Sequence, residues 1–187
     1  MTSLKRIVFL FVFCFSVLGV NAQYEIKPVE GYTPQIGVMV NMLEDLKSRI
    51  TEMTHDLSQE ETDFLFDDKA NSIGALIMHL AATESYYQVE TLENRQWTEE
   101  ESEFWGIATG LGEKQRKELQ GKPISYYLDL WDEVRSKTLK GLKAKDDIWF
   151  AANVDENVNN HWAWFHILEH SANHMGQISL VKNRLPE

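Results

Sequence analysis

Four stretches of about twenty residues carry apolar side chains at intervals of three and four, and this helical periodicity constrains the fold more than any other feature. The first stretch follows Thr33-Pro34, a pair suited to a helix start because proline is tolerated at the first helical position. The second is expected to run from about Ile73 to about Leu92, the third begins after Pro123, and the fourth occupies residues 161–185. No stretch alternates apolar and polar residues as a half-buried strand does. The sequence therefore predicts an all-α four-helix bundle.

Long connections separate these helices. Residues 98–121 are polar and interrupted by Gly106, Gly110 and Gly112, with room for one short helix near 113–119. A connection of this length is typical of a crossover between parallel neighbours in a bundle. Residues 143–160 form a second loop, in which Trp149 and Phe150 are the expected anchors. Between the first two helices, the capping-box pattern of residues 58–61 predicts a brief helical turn.

Residues 1–22 have the features of a secretory signal peptide. Lys5 and Arg6 precede an apolar run over residues 7–20, and Ala22 is the small residue that a signal peptidase requires. The run is too short for a comfortable membrane span, and Cys14 lacks the small preceding residue of a lipidated cysteine. We therefore predict an exported protein, periplasmic or secreted, in which residues 23–187 form a single domain without stable membrane insertion.

Composition excludes several classes of function. The single cysteine lies in the predicted signal peptide, so the mature chain has no disulfide, thiolate ligand or cysteine nucleophile. The formal charge of −11 would become −13 on loss of Lys5 and Arg6, and so acidic a protein is a poor candidate for binding nucleic acid or an anionic membrane. The sequence contains neither a nucleotide-binding glycine loop nor a serine nucleophile elbow. A small-molecule substrate is the expected partner.

The fourth helical stretch carries His166, His170 and His174, which lie on one face because they are four residues apart. Imidazole is the commonest nitrogen ligand of Zn²⁺, Ni²⁺, Cu²⁺ and Fe²⁺, and two imidazoles at this spacing can reach one ion. Ser171 stands where zinc peptidases have the glutamate that serves as general base. The pair alone fits packed histidines as well as metal ligands. A third ligand would favour a metal site, and the meaning of His79 on the second helix depends on what it faces.

The second and fourth helical stretches each carry a motif around their histidines. The motifs are Asn71-Ser-Ile-Gly-Ala-Leu-Ile-Met-His79-Leu-Ala-Ala-Thr-Glu84 and His166-x-x-Glu169-His170-x-x-x-His174-x-Gly176-Gln177-Ile178. In this order, the two motifs resemble those of the DinB/YfiT superfamily of metal-dependent enzymes. The resemblance extends over nearly all of residues 23–187. It implies an up-up-down-down-like bundle in which His79, His170 and His174 bind one divalent ion. The chain has Met175 and Ser171 where the family often has arginine and an acidic residue, departures that concern substrate contacts more than the metal.

Three neutral imidazoles would leave open positions on the ion for water or substrate, as in catalytic sites. Zn²⁺ and Ni²⁺ are the first candidates, although this ligand set suits other divalent ions as well. His166, Glu169 and Gln177 are the nearest candidates for catalytic roles that orient a ligand or the substrate. Each also has a structural interpretation: His166 at the core margin, Glu169 in solvent or in an ion pair, and Gln177 as a cap on loop backbone.

Burial is predicted for other residues near these motifs. Glu84 is expected to be a surface charge, whereas Trp131, Trp162 and Trp164 are expected in the core. The core-facing stripe of the fourth helix is predicted to be Phe165, Leu168, Ala172, Met175, Ile178 and Val181.

Three functional hypotheses remain open. Characterised DinB-like relatives are thiol-dependent transferases or isomerases in which the metal activates the thiol of a small cofactor, and the resemblance makes this the first hypothesis. Predicted export counts against it, because such thiols are kept reduced mainly in the cytosol. The second hypothesis is metal-hydroxide hydrolysis with Glu169 as the base, and the third is a metal-binding or interaction bundle without turnover. A homodimer through an exposed face is plausible, but the sequence does not show it.

Overall fold

The computed structural model describes residues 25–186, so the predicted signal peptide lies outside the described residues and stays a prediction. Four long helices form the bundle: α1 (Pro34–Thr54), α3 (Ile73–Tyr87), α6 (Ile124–Lys143) and α8 (Asn160–Lys182). Four short helices lie in the connections: α2 (Gln59–Asp63), α4 (Glu99–Gly106), α5 (Glu113–Glu118) and α7 (Asp147–Ala151). Residues 25–186 contain no strand, and the all-α prediction is confirmed.

The connections contain two more helices than the sequence predicted. α4 begins at a capping box, in which the Thr98 hydroxyl accepts the Glu101 N–H at 3.2 Å and the Glu101 carboxylate accepts the Thr98 N–H at 2.8 Å. The side chain of Asp146 caps α7. Phe150 is buried as predicted, whereas Trp149 is only partly buried. The second long helix continues beyond α3 as a π-helical turn, Gln88–Leu92, which agrees with its predicted end.

Contacts along α6 give the directions of its two neighbours. The Tyr32 hydroxyl, just before α1, donates to the Leu139 carbonyl, whereas Lys47 further along α1 pairs with Asp132, so α1 and α6 are antiparallel. α3 runs parallel to α6. Tyr127, in the first turn of α6, contacts Gly74 in the first turn of α3, and the Val134 carbonyl further along α6 accepts a hydrogen bond from Gln88, which follows α3. Residues 93–123 therefore cross over between parallel neighbours, as predicted.

α8 closes the bundle between α1 and α3. It is parallel to α1, because His161 lines a cleft with Met39 and Lys182 donates to the Met53 carbonyl. The four long helices therefore run up, down, down and up, and the implied up-up-down-down order is wrong. The connection that contains α2 turns at the end of α1, which makes α3 antiparallel to α1. Among residues 25–186, no helix has the length and hydropathy to span a membrane.

A buried ionic network joins α3 to α6. Glu84 is completely buried and accepts two hydrogen bonds from Arg135, at 2.7 and 2.8 Å. Trp131 and Thr138 donate to the same carboxylate, at 2.9 and 2.6 Å. Burial alone would raise the pKa of Glu84, but the charge and hydrogen bonds of Arg135, with the other two donors, hold it below its usual value. The surface-charge expectation for Glu84 is wrong, because this residue lies on the face of α3 that packs against α6.

The buried face of α8 is rotated from the predicted stripe. Ile178 and Val181 are buried as expected, but Phe165 is 45% exposed and Ala172 is also exposed. Trp131 and Trp164 lie in the core, whereas Trp162 is 46% exposed, so its predicted burial is wrong. The cause is that α8 turns its histidine face toward α3. Its buried residues are Asn160, Ala163, Trp164, Ile167, Ser171, His174, Ile178 and Val181.

Candidate metal centre

The antiparallel packing of α3 and α8 brings His79, His170 and His174 to one point. Nε2 of His170 lies 2.7 Å from Nε2 of His79 and 3.2 Å from Nε2 of His174. One nitrogen from each ring lies within 4.8 Å of the others. His79 and His174 are buried, whereas His170 is partly exposed. This cluster could hold a divalent metal ion, with the three residues that the resemblance implied.

The outer nitrogens of two rings are held by hydrogen bonds. Nδ1 of His79 lies 2.6 Å from the Ala108 carbonyl oxygen, and Nδ1 of His174 lies 3.0 Å from Oε1 of Gln177. Because these oxygens only accept, both Nδ1 atoms carry hydrogen, and the Nε2 atoms of the neutral rings present lone pairs. Metal-bound histidines usually donate their second N–H to such a partner.

Hydrogen bonds among the three Nε2 atoms cannot satisfy all of their lone pairs, whereas a cation between them can. Nε2 of His170 can donate one hydrogen to one neighbour, which leaves a lone pair facing a lone pair at the other contact. Zn–N bonds of about 2.0–2.1 Å place two tetrahedral ligand atoms roughly 3.3 Å apart. The 3.2 Å contact between His170 and His174 agrees with this spacing, and the 2.7 Å contact with His79 would open slightly. The donor set therefore fits a divalent ion.

Burial keeps the cluster neutral. Desolvation lowers the pKa of His79, although its hydrogen bond to Ala108 acts in the opposite direction. Desolvation likewise lowers the pKa of His174. Burial, followed by the proximity of the other histidines, lowers the pKa of His170 to about 4. Neutral imidazole is the form that binds metals, so all three rings are ready to coordinate at neutral pH.

We expect the metal-free protein to lose stability as the pH falls from about 6.5 toward 4. The pKa of His170 is about 4 in the folded protein against an ordinary value of 6.5, so the unfolded chain binds more protons in this window. Stability therefore rises with pH through the window and levels off above it. Thermal unfolding from pH 5 to 7 measures the slope, which His170→Gln should reduce. An equal slope in wild type and His170→Gln would contradict this account.

The three predicted catalytic candidates occupy different places. Gln177 contacts His174 directly, where it can orient that ring. His166 lies beside the cluster, with its ring centroid 5.4 Å from that of His170. Glu169 is exposed, and its carboxylate lies 3.4 Å from Nδ1 of His166. Their roles stay predictions, but Glu169 meets His166 and not one of the three clustered histidines.

The crossover supplies a partner that sequence reasoning missed. Ala108 is completely buried just beyond α4, where its N–H donates to the Trp105 carbonyl and its own carbonyl accepts from His79. A backbone carbonyl has no side-chain signature. The nearby glycines indicated a loop, but only the fold shows that this loop reaches the histidine cluster.

The fold and the cluster define an all-α bundle protein with a candidate three-histidine metal centre. The family model for mycothiol-S-transferase matches residues 38–186, a range that includes all three histidines. The chain therefore belongs to the mycothiol-S-transferase family, which is DinB/YfiT-like.

A solved structure supports the same fold. It is described as the crystal structure of the conserved protein of locus from Enterococcus faecalis, and it superposes with a TM-score of 0.62 at 15% sequence identity. The similarity covers 78% of this chain and 94% of that chain. No curated protein matches this sequence.

Proposed function

We propose that this protein is a metal-dependent thiol transferase, in which His79, His170 and His174 hold one divalent ion and a small-molecule thiol reacts with an electrophilic substrate. The main support is the convergence of three neutral imidazoles around a point with a partly open side, at His170. Membership of a family named for S-transfer agrees with it. A divalent ion in such a site lowers the pKa of a thiol and so supplies a nucleophile at neutral pH.

Residues around the cluster would orient the ligands and accept the proton of the thiol. Ala108 and Gln177 fix the orientations of His79 and His174. His166, paired with Glu169 beside the open side, would accept the proton that the thiol releases. The sulfur then forms a bond to the electrophilic carbon, and the leaving group departs with the electron pair of the bond that breaks.

The hydrolytic alternative loses the base that the sequence suggested for it. It needs a base close to a water at the cluster, and Glu169 was its candidate. Glu169 is instead exposed and contacts His166. His166 could serve as the base in either reaction, so membership of a family named for S-transfer is what favours thiol transfer.

Thiol transfer can be tested with defined reagents. Protein loaded with Zn²⁺ or Ni²⁺ is mixed with cysteine, 2-mercaptoethanol or dithiothreitol and with 1-chloro-2,4-dinitrobenzene, and thioether formation is followed by absorbance. We expect catalysis above the uncatalysed rate, and a loss of about 100-fold or more in His170→Ala because thiol activation is removed. His55→Ala is the control, since His55 is exposed after the end of α1. Equal rates in wild type and His170→Ala would contradict the proposal.

A further inference from the structure

Five ring side chains form a row that begins beside the histidine cluster and continues between α3 and α8. We call these residues the aromatic row: Tyr86, Tyr87, Trp97, Trp162 and His166. His166 lies nearest the cluster, and Trp162 lies flat against it, with the ring planes 4° apart and the centroids 5.1 Å apart. Because these two residues continue the face of α8 that carries His170, the row and the cluster are continuous.

The α3 side of the row is made by two tyrosines and a tryptophan. Tyr87 meets His166 edge to face at 5.8 Å, and Tyr86 meets Tyr87 in the same way at 5.4 Å. Trp97, from the segment before α4, meets Tyr86 at 5.4 Å. Each contact has the geometry that aromatic rings prefer, so the row is an ordered surface.

The row is left partly open to solvent. Tyr86 is 41% exposed and Trp162 is 46% exposed, although burial of such large rings would be favourable. The partly buried rings of Tyr87 and His166 join these two exposed rings into one surface. Single exposed aromatic residues are ordinary, but connected ones beside a candidate site mark a binding surface. Their continuity with the histidine cluster indicates that the same molecule occupies both.

The charges at the row select among aromatic ligands. Glu90 accepts a hydrogen bond from the Tyr86 hydroxyl at 3.3 Å, and Glu169 contacts His166 at 3.4 Å. Carboxylates at these positions repel an anionic ring, whereas an uncharged or cationic ring meets no such repulsion.

We propose that the aromatic row is a subsite for a planar aromatic group without negative charge, carried by the molecule whose thiol binds at the histidine cluster. The inference rests on the proposed function for the thiol end of that molecule. Trp162 lies eight residues from His170 on α8, about 12 Å along the helix axis, and His166 lies halfway between them. An aryl group one carbon from the sulfur therefore meets His166 first, and a longer molecule reaches Trp162.

The test compares two thiols of similar shape on protein loaded with Co²⁺. 4-Phenylbutane-1-thiol has an aromatic ring and 4-cyclohexylbutane-1-thiol has a saturated one, each on a linker long enough to bring the ring to Trp162, and the thiolate-to-Co²⁺ absorption band reports the binding of each. Wild type is expected to bind the aromatic thiol about 3- to 10-fold more tightly. Trp162→Leu should remove this preference. Phe165→Leu should keep it, because Phe165 has nearly the same exposure on the same helix but lies outside the row.

The outcomes separate the subsite from the proposed function. Equal affinities for the two thiols in wild type, or an undiminished preference in Trp162→Leu, would overturn the subsite while thiol binding stands. If neither thiol produces the band, thiol binding at the cluster fails. The row is then tested in metal-free protein by saturation-transfer NMR with benzyl alcohol and cyclohexylmethanol. A stronger signal for benzyl alcohol that depends on Trp162 supports an aromatic subsite, and equal signals overturn it.

Discussion

Replacing Glu84 with alanine is expected to lower the free energy of unfolding by about 3–5 kcal/mol, because the substitution leaves the buried guanidinium of Arg135 without its main counter-ion. It also removes the acceptor of the Trp131 and Thr138 hydrogen bonds. Chemical denaturation of the metal-free protein measures the change, so that metal binding does not contribute.

Glu44 provides a matched control for this prediction. Its carboxylate also pairs with Arg135, at 2.8 Å, but its side chain is 47% exposed. Water can replace a partly exposed partner, so Glu44→Ala should cost less than about 1 kcal/mol. Similar losses in the two variants would show that burial of the Glu84–Arg135 pair does not determine its contribution.

Alanine at His79, His170 or His174 is expected to weaken divalent-metal binding by more than about 100-fold, since each substitution removes a ligand. Gln177→Ala should weaken it less, by about 10- to 100-fold, because Gln177 only holds the His174 ring. Competition with a chromophoric chelator for Zn²⁺ or Ni²⁺ measures the affinities.

Two controls accompany the prediction on metal affinity. His55→Ala changes an exposed histidine and should bind metal as wild type does. Far-ultraviolet circular dichroism checks that each variant remains helical. Wild-type affinity in a folded His170→Ala protein would remove this residue from the site, and the three-histidine assignment would fail with it.

The long helices and the candidate ligands could be predicted because their signals are local. Apolar spacing along residues 34–54 and 124–143 matches the helices found there, and the capping box at Ser58 starts the short helix that it predicted. The histidines on α8 share a face by spacing alone. The resemblance added His79 as the third candidate ligand, and the fold places its Nε2 2.7 Å from Nε2 of His170.

The remaining features depend on contacts between distant parts of the chain. Glu84 has the sequence character of a surface residue, and only its position opposite Arg135, 51 residues later, makes it a core residue. Trp162 has the large apolar side chain of a typical core residue, but α8 is rotated so that the Trp162 ring lies partly exposed beside the site. Helix direction is also non-local, because several bundle topologies accept the same apolar stripes.

The metal content of protein purified without chelator tests the central claim most directly. Elemental analysis of wild type and of the His79→Ala, His170→Ala and His174→Ala variants should find about one divalent ion per wild-type chain and sharply lower occupancy in each variant. Wild-type protein that remains free of metal after exposure to Zn²⁺ and Ni²⁺ would contradict the account. The three histidines would then be packing residues of the bundle, and the function would lie elsewhere.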